Sequence, residues 1–387
     1  MDTLTDREQA FYGLEKRMTV IIVTAGGSQA SGGVRQAIYL AKSLQQAGYT
    51  VHFVCNPSKE LLALATGLHC IPLPRKLAET NRLLRSLMPE GESVVVHGFH
   101  NWGVKYAAYL GTLWRIQGLP VVCVAHRGVT AKPKNPLPYL LPGIRAFLVN
   151  SHAIINILPL LWRRKRAHFV SNCISPERLV PTCSKERIRK ELHIPDEHLV
   201  IGTLAHENPQ KGAGRLIEAY AKARASMPPS TLVLIGVPEK NYLEIATAHG
   251  VSKHVRFVSR TEDIANYLQI ITLFVFASYF AESQPNVVME AMSMGLPVIA
   301  SNIGEVPHMV QRDCLFTPGH VDEIAAKMTE LVNNPSRIVQ LAAENLAKKS
   351  LFSPERRLET ILQHYNVVLN ELGLKTLPIL QKIDASN

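Results

Sequence analysis

Short apolar runs rich in β-branched residues alternate with helical patterns along almost the whole chain. In the first half, the predicted strands are residues 19–24, 51–55, 94–97, 121–124, 147–149 and 168–170, and the predicted helices are 33–47, 77–87, 102–116 and 153–161. In the second half, the predicted strands are 199–202, 232–235, 255–257, 273–276, 298–300 and 314–316, and the predicted helices are 212–225, 263–268, 286–294 and 322–332. Strands that alternate with helices form parallel sheets, so the sequence predicts an α/β fold with two doubly wound parallel sheets.

The length of 387 residues exceeds what one hydrophobic core usually supports, which indicates two domains. We place the hinge between Asn172 and Glu191, where prolines and charged residues interrupt the alternation. The first domain is therefore predicted to be residues 1–172 and the second residues 173–353. Ligands of such sheets bind at the carboxyl ends of the strands, and two facing sheets leave a cleft between them.

The charge balance indicates anionic partners. The chain has 42 lysines and arginines against 31 acidic residues, a net charge of +11. Nucleotide phosphates, a phospholipid surface, a phosphorylated acceptor and nucleic acid all fit such a charge. Nucleic acid is the weakest of these, because only 6% of the residues are aromatic and no nucleic-acid-binding motif is present.

Nothing in the sequence indicates export or a membrane span. The longest apolar runs, such as residues 18–25, are too short to cross a bilayer, and the N-terminus lacks the pattern of a signal peptide. The six cysteines are scattered without a C-x-x-C pair, which indicates reduced core residues and no metal site. We therefore predict a cytoplasmic protein whose cysteines bind no metal.

The most informative stretch follows the predicted strand 273–276 and reads ESQPNVVMEAMSMG, from Glu282 to Gly295. Pro285 is placed where the first turn of a helix tolerates proline, and Ser283 can cap that helix. The free N–H groups and positive dipole end of such a helix, at Pro285, Asn286 and Val287, can hold a phosphate. Glu290 can accept from the hydroxyls of a ribose, and Glu282 from whatever group the phosphate carries.

Two further loops at strand ends contain residues suited to phosphate binding. Lys211 comes before a predicted helix start and is well placed to neutralise a diphosphate. The glycine-rich stretch that ends at Gly33 lets a backbone approach a phosphate or acceptor, although a tight turn explains it about as well.

A histidine and an arginine follow the apolar strand 121–124. His126 and Arg127 precede Gly128 and a loop at the lip of the first-domain cleft, which favours an active-site role. The segment of His97 and His100 at the end of the preceding strand is a weaker candidate of the same kind.

The stretch LPLLWRRKR, residues 158–166, joins apolar residues and a tryptophan to four consecutive cations, which are Arg163, Arg164, Lys165 and Arg166. Membrane surfaces with anionic lipid attract such combinations. The alternative is a solvated helix C-terminus whose cations complement the helix dipole. Further cations flank the apolar segment 136–142, namely Lys132, Lys134 and Arg145. We therefore predict that Arg127 and the four consecutive cations contact an acidic acceptor or a membrane.

Several of these motifs together resemble a known family. Glu282 and Glu290, followed by AMSMGLPV, resemble the E-x7-E signature of retaining glycosyltransferases of family 4, which have the GT-B fold of two Rossmann-like domains. The glycines at 32 and 33, the stretch from residue 187 to Lys211 and the loops at 301–307 and 317–319 are similar to further family motifs. The final helix, about residues 354–372, is similar to the one that crosses back to the first domain and leaves residues 373–387 as a tail.

The resemblance implies roles for the matching residues. Glu282 would contact the donor sugar, Glu290 the ribose and Lys211 the leaving diphosphate. Gly33 would let the acceptor or the phosphate approach, and His126 would hydrogen-bond the sugar or the acceptor. No metal is expected, because cations and helix dipoles stabilise the leaving group.

Two positions depart from the family pattern. His206 stands where the family usually has an arginine as second diphosphate ligand, and a histidine is only partly charged near neutrality. Ser283 and Gln284 replace the commoner glycine or phenylalanine after the first glutamate, so the sugar pocket is expected to be unusual.

The sequence therefore predicts transfer of a sugar from a nucleotide diphosphate-sugar to a hydroxyl of a lipid-linked or polysaccharide acceptor at the inner face of the cytoplasmic membrane. Bacterial lipopolysaccharide, O-antigen or another envelope glycan is the expected product. The alternatives are a sugar-nucleotide epimerase or phosphorylase of similar fold and an inactive relative that binds sugar nucleotides or membrane. The nucleotide, the sugar and the acceptor stay open.

Overall fold

The computed structural model describes residues 18–25, 31–128, 130, 134–159 and 164–377. Its strands are β1 (Thr19–Thr24), β2 (Thr50–Cys55), β3 (Cys70–Pro72), β4 (Val94–Phe99), β5 (Val121–Arg127), β6 (Ile144–Val149), β7 (Ala167–Phe169), β8 (Leu199–Leu204), β9 (Ser230–Ile235), β10 (Val255–Val258), β11 (Leu273–Phe276), β12 (Val298–Ser301) and β13 (Leu315–Phe316). The α-helices are α1 (Gly32–Gln46), α2 (Lys59–Leu64), α3 (Leu77–Ser86), α4 (His100–Ile116), α5 (Leu137–Leu140), α6 (His152–Ile157), α7 (Lys185–Glu191), α8 (Ala213–Ala223), α9 (Leu243–Ala248), α10 (Ile264–Leu268), α11 (Asn286–Ser293), α12 (Val321–Val332), α13 (Pro335–Ala347) and α14 (Pro354–Glu371).

Two parallel sheets confirm the predicted fold class. The first sheet has seven strands in the order β3-β2-β1-β4-β5-β6-β7, and the second has six in the order β10-β9-β8-β11-β12-β13. Both orders reverse beside the first strand of the sheet, at β1/β4 and at β8/β11, and ligands of doubly wound sheets bind at these switch points. Within the described ranges, no helix has the length and apolar content that a membrane crossing requires.

Strand β5 runs further than its apolar run suggests. It ends at Arg127, three residues past the apolar run 121–124, so His126 and Arg127 are the last two residues of a buried strand. Leu148 and Val149 of β6 pair with them in register, which extends the strand. The short strand β3 and the helices α2, α5, α7, α9 and α13 were absent from the prediction.

The last helix belongs to the core of the first sheet. Leu358, Ile361, Leu362 and Tyr365 of α14 are buried in the cluster formed by β1, β2 and α1. The phenolic oxygen of Tyr365 also lies 2.5 Å from His97 Nδ1 at the centre of that sheet. The first domain is thus built from both ends of the described chain.

The start of the predicted hinge is fixed to the first domain. The side-chain amide of Gln36 donates to the carbonyl oxygen of Cys173 (2.7 Å), and its oxygen accepts from the backbone N–H of Cys173 (3.0 Å). Arg357 in turn donates to the backbone oxygen of Gln36 (2.9 Å). Residues 176–191, predicted as an irregular link, contain a 3₁₀ turn (Pro176–Leu179) and helix α7.

Helix α4 lies directly against the backbone of β1 and β4. A Cβ at Gly98 would lie 2.3 Å from the backbone oxygen of Gly103, and a Cβ at Gly103 would lie 2.5 Å from that of Val23. Both positions therefore require glycine. This contact holds the start of α4 at the carboxyl edge of the first sheet.

Candidate active site

A cavity of about 870 Å³ lies between the two sheets. Residues from the start of α1, the ends of β4, β5 and β8, and the start of α11 line it. The lining includes ten predicted site residues: Gly33, His126, Arg127, His206, Lys211, Glu282, Pro285, Asn286, Val287 and Glu290. The carboxyl ends of two parallel sheets thus bring together segments more than 200 positions apart.

Glu282 is buried and directly paired with Lys211. It is 8% exposed, and its Oε1 accepts from Lys211 Nζ (2.5 Å) and from Ser278 Oγ (2.6 Å). Lys211 ends a 3₁₀ turn, which Gly212 follows with φ +81°. A Cβ at Gly212 would lie 2.0 Å from the backbone oxygen of Ala277, so this glycine lets the Lys211 loop rest on the end of β11.

Glu290 is engaged on one side only. It is 3% exposed, and its Oε1 accepts from Arg178 Nε at 2.7 Å. Its Oε2 is buried and has no hydrogen-bond partner among the described residues. Because a buried carboxylate oxygen without a donor is unfavourable, this atom is a suitable acceptor for a ligand hydroxyl.

Arg178 belongs to a chain of charges that joins the domains and that the sequence did not reveal. Arg178 Nη1 donates to Glu262 (2.8 Å), and both oxygens of Glu262 accept from Arg35 Nη2 (2.6 and 2.7 Å). Burial alone would lower the pKa of Arg178, but Glu290 and Glu262 outweigh it and raise that pKa. Burial opposes ionisation of Glu262, but Arg35 and then Arg178 outweigh it and lower its pKa.

The first turn of α11 has no side-chain cap. Pro285 precedes its first residue, and no side-chain hydrogen bond caps the turn within the part of the chain that the structure describes. The prediction that Ser283 caps this helix is wrong, since Ser283 Oγ donates to the backbone oxygen of Gly128 at 2.9 Å. N–H groups without a cap at a helix start can receive an anion.

The unusual pair Ser283 and Gln284 joins the two domains. Besides the contact to Gly128, the Gln284 side chain accepts from the backbone N–H of Asn172 (2.6 Å) and donates to Ser171 Oγ (2.9 Å). Both side chains line the cavity and also hold the Glu282 loop against the first domain.

His126 lies in a stack of rings and favours its neutral form. Its ring is 4.6 Å from that of Phe99 and 5.6 Å from that of His97. Burial, with further contributions from Arg357, His97 and His100, lowers the pKa of His126 well below its ordinary value. Its Nδ1 has no hydrogen-bond partner within the described chain. A neutral imidazole can donate from one nitrogen and accept at the other.

Arg127 was predicted to contact the acceptor or the membrane, but it is buried. It donates to the hydroxyl of Tyr139 at 2.6 Å, and its guanidinium lies over the ring of that tyrosine. It lines the cavity, so it can reach an acceptor only inside the cleft. The prediction of a membrane contact at Arg127 is wrong for this reason.

Gly33 makes room for a histidine. A Cβ at Gly33 would lie 2.4 Å from His100 Nε2. His100 has φ +62° and lies with its Nδ1 3.0 Å from Thr24 Oγ1. The residues before Gly33 in the glycine-rich stretch, 26–30, lie outside the described residues.

His206 is exposed at the edge of the cavity. Partial burial of its ring, and then the charge of Lys211, lower its pKa below the ordinary value. It therefore supplies less positive charge near neutrality than the arginine that the family usually has there.

The described cations of the basic stretch, residues 164–166, do not line the cavity. Arg164 donates to the backbone oxygens of Leu158 (3.2 Å) and Asn156 (2.9 Å) and so completes the end of α6. Lys165 is exposed and Arg166 partly exposed, whereas Arg163 lies outside the described residues. The contacts of Arg164 thus agree with the alternative prediction, in which the cations complement the C-terminus of a helix rather than contact a membrane.

Comparison with known sequences gives two adjacent family matches. Residues 30–178 match the model "Glycosyltransferase Family 4", and residues 184–349 match "Glycosyl transferases group 1". A D-inositol 3-phosphate glycosyltransferase of Stackebrandtia nassauensis is 27% identical over 92% of this chain and 88% of its own length. An uncharacterized glycosyltransferase of Haemophilus influenzae is 24% identical over 54% of this chain, and the match spans only 58% of that protein. The lipopolysaccharide core biosynthesis glycosyltransferase LpsE of Rhizobium meliloti is 28% identical over 47% of this chain and 52% of its own.

Solved structures share the fold. Anabaena Alr3699/HepE in complex with UDP has a TM-score of 0.75 and 17% identity, over 90% of this chain and 98% of its own. A glycosyltransferase of Rickettsia africae has a TM-score of 0.77 and 15% identity, over 91% of this chain and 99% of its own. WaaG, a glycosyltransferase involved in lipopolysaccharide biosynthesis, has a TM-score of 0.62 and 15% identity, over 89% of this chain and 99% of its own. The two family matches together cover about four fifths of the chain, and the chain belongs to the family 4 and group 1 glycosyltransferases with the GT-B fold.

Proposed function

We propose that the protein transfers a sugar from a nucleotide diphosphate-sugar to an acceptor hydroxyl with retention of anomeric configuration. One observation carries this proposal: Lys211, the uncapped start of α11 and the partly engaged carboxylate of Glu290 line a single cavity. The solved structure of HepE, which shares the fold, is a complex with UDP, and this supports a nucleotide-containing donor.

A donor can be placed so that it contacts Lys211, the start of α11 and Glu290 together. Its diphosphate lies between Lys211 and the N–H groups at Asn286 and Val287, which together supply positive charge as the leaving group departs. Its ribose hydroxyls donate to Glu290 Oε2, and its sugar lies near Glu282 and His126.

During transfer, the bond between the anomeric carbon and the diphosphate oxygen breaks while the acceptor oxygen bonds to the same face of that carbon. The proton of the acceptor hydroxyl passes to the departing phosphate oxygen. Closure of the two domains excludes water, which would otherwise hydrolyse the donor. Because Lys211 and the helix N–H groups carry the charge stabilisation, we propose that this step needs no metal.

A nucleotide-binding screen followed by a transfer assay tests the donor site. We expect one of UDP, GDP and ADP to raise the melting temperature, because a ligand of the folded state stabilises it. Glu290→Ala should weaken binding of that nucleotide about tenfold and lower transfer of labelled sugar to a glycolipid extract. A Glu290→Ala protein that binds and turns over donor like the wild type would contradict the assignment.

The same assay without acceptor separates the alternatives. An epimerase would convert the donor alone, and a phosphorylase would require inorganic phosphate. A relative without activity would bind the nucleotide and transfer nothing across a broad panel of acceptors.

We further propose that the acceptor is lipid-linked or part of an envelope polysaccharide and that the enzyme is cytoplasmic and meets it at the inner face of the membrane. Exposed apolar side chains, Trp102 and Leu137, lie in the first domain, and Lys105 lies over the Trp102 ring. Two relatives by sequence or structure, LpsE and WaaG, are named for lipopolysaccharide synthesis.

Vesicle sedimentation tests the membrane contact. Changing Lys134 and Lys165 to glutamine should weaken binding to phosphatidylglycerol vesicles by about 2 kcal/mol, since each lysine near an anionic surface contributes about 1 kcal/mol. The matched control, Lys240→Gln with Lys253→Gln in the second domain, should bind like the wild type. Equal loss in both double variants would mean a nonspecific effect of net charge.

A further inference from the structure

Two histidines and a glutamate from different domains meet outside the cavity. His152 is the first residue of α6, and Glu305 and His308 belong to the loop that follows β12. One side-chain ligand atom of each lies within 4.8 Å of those of the other two. None of the three lines the cavity of the candidate active site.

The local backbone places Glu305 and His308 side by side. Glu305 precedes a 3₁₀ helix (Val306–His308), and the N–H of His308 donates to the Glu305 backbone oxygen at 3.0 Å. In such a turn, residues three apart lie on the same side. The spacing Glu-x-x-His therefore presents a carboxylate and an imidazole together.

His152 approaches this pair from the first domain. Its backbone N–H donates to Glu305 Oε2 (2.9 Å), and its Nδ1 lies 2.8 Å from Oε1. The ring stacks on Phe169 at 4.6 Å and lies 5.1 Å from the ring of His308. The stack fixes the plane of the imidazole with one edge toward the carboxylate.

The carboxylate of Glu305 is unusually short of positive charge. Its side chain is 2% exposed, yet within the part of the chain that the structure describes no lysine or arginine forms an ion pair with it. A buried carboxylate is costly unless a cation compensates it. Two imidazoles and one carboxylate are a ligand set that zinc-class metals bind in proteins.

We propose that His152, Glu305 and His308 bind one divalent transition-metal cation of the zinc class, with water in the fourth position. Ligands on tetrahedral zinc lie about 3.3 Å apart, because each bond is about 2.0–2.1 Å long. The Nδ1–Oε1 separation of 2.8 Å would widen to reach this value, and ligand atoms up to 4.8 Å apart would move closer together. The His152 side chain is 53% exposed, which leaves room for this movement in the plane of its stack on Phe169.

Such a cation would join the two domains close to the loop that carries Glu282. The N–H of Glu305 donates to the backbone oxygen of Ser283 at 2.7 Å. A Cβ at Gly304, which has φ +60°, would lie 2.4 Å from that same oxygen. The metal would therefore fix the position of the loop that carries Glu282 without touching substrate, and its binding is independent of the function proposed above.

Calorimetric titration of the chelator-treated full chain with zinc sulfate tests the site. We expect one equivalent to bind with a dissociation constant below about 10 μM, a rise in melting temperature and no comparable binding of Mg²⁺, which prefers oxygen ligands. His308→Ala should lose this equivalent or weaken it at least tenfold. The matched control His320→Ala changes an exposed histidine beside Glu323 and should bind zinc like the wild type.

His152→Asn provides a second variant, because this side chain is more than half exposed and its loss is less apt to disturb folding. Each variant is compared with the wild type in metal-free buffer, where equal melting temperatures show intact folding. Zinc binding that persists in both folded variants, or that is lost equally in His320→Ala, would overturn the proposal. A wild-type protein that binds no equivalent of zinc with a dissociation constant below about 10 μM would also overturn it.

Discussion

Changing Lys211 to methionine is expected to slow sugar transfer by about 10²–10³-fold, with most of the loss in kcat. Lys211 is the cation beside Glu282 in the cavity, and methionine keeps most of the length of the side chain. The diphosphate gains charge as it leaves, so the lysine stabilises the transition state more than the bound donor. Initial rates with labelled donor at several concentrations separate kcat from KM.

The control for Lys211→Met is Lys222→Met. Lys222 also pairs with a carboxylate, Asp322 at 2.6 Å, but both side chains lie on the surface. We expect wild-type rates from this variant, since an exposed ion pair contributes little. Ser278 still donates to Glu282 in Lys211→Met, so the Glu282 carboxylate keeps one of its two hydrogen bonds. A loss of less than tenfold would mean that the charge stabilisation lies elsewhere.

Changing Gly98 to alanine is expected to destabilise the protein by more than about 3 kcal/mol. The new methyl carbon would lie 2.3 Å from the Gly103 backbone oxygen, which no side-chain rotation can relieve. Forcing atoms into a packed core costs about 1–3 kcal/mol, and more where the backbone itself must move. Helix α4 would separate from β1 and β4, and His100 at its start would leave the cavity. Urea unfolding measures the loss of stability.

Gly118→Ala is the control for Gly98→Ala. Gly118 has φ +68°, but no atom lies within 4 Å of where its Cβ would be. Only the conformational cost of alanine at positive φ remains, about 1 kcal/mol. Equal destabilisation in the two variants would show that the close approach of α4 does not decide the effect.

The sequence predicts the fold well because a doubly wound sheet leaves a strong local pattern. Strands β1 and β11 are buried along their full length and match their apolar runs residue for residue. Strand β5 was predicted too short, since its last residues are polar and follow the apolar run. Strand β3 was missed because it has only three residues, which are too few to show a strand pattern in the sequence.

Local sequence patterns predict only some of the residues in the candidate active site. Glu282, Glu290 and Lys211 were found because each follows a strand end or a helix start, which are features of the sequence itself. Arg178 was missed because it lies in a segment predicted as a hinge, and only the packing of that segment onto the second domain brings it to Glu290. Arg35 and Glu262 are 227 positions apart, so no pattern in the chain relates them.

The place of α14 has a consequence for synthesis. Ile361, Leu362 and Tyr365 fill the core of the first domain, yet the ribosome makes them after the whole second domain. The apolar face of the N-terminal half therefore stays uncovered during synthesis until α14 has been made. A nascent chain stalled in the second domain would expose that face to chaperones, whereas the core residues of the second domain all precede α14 in the chain.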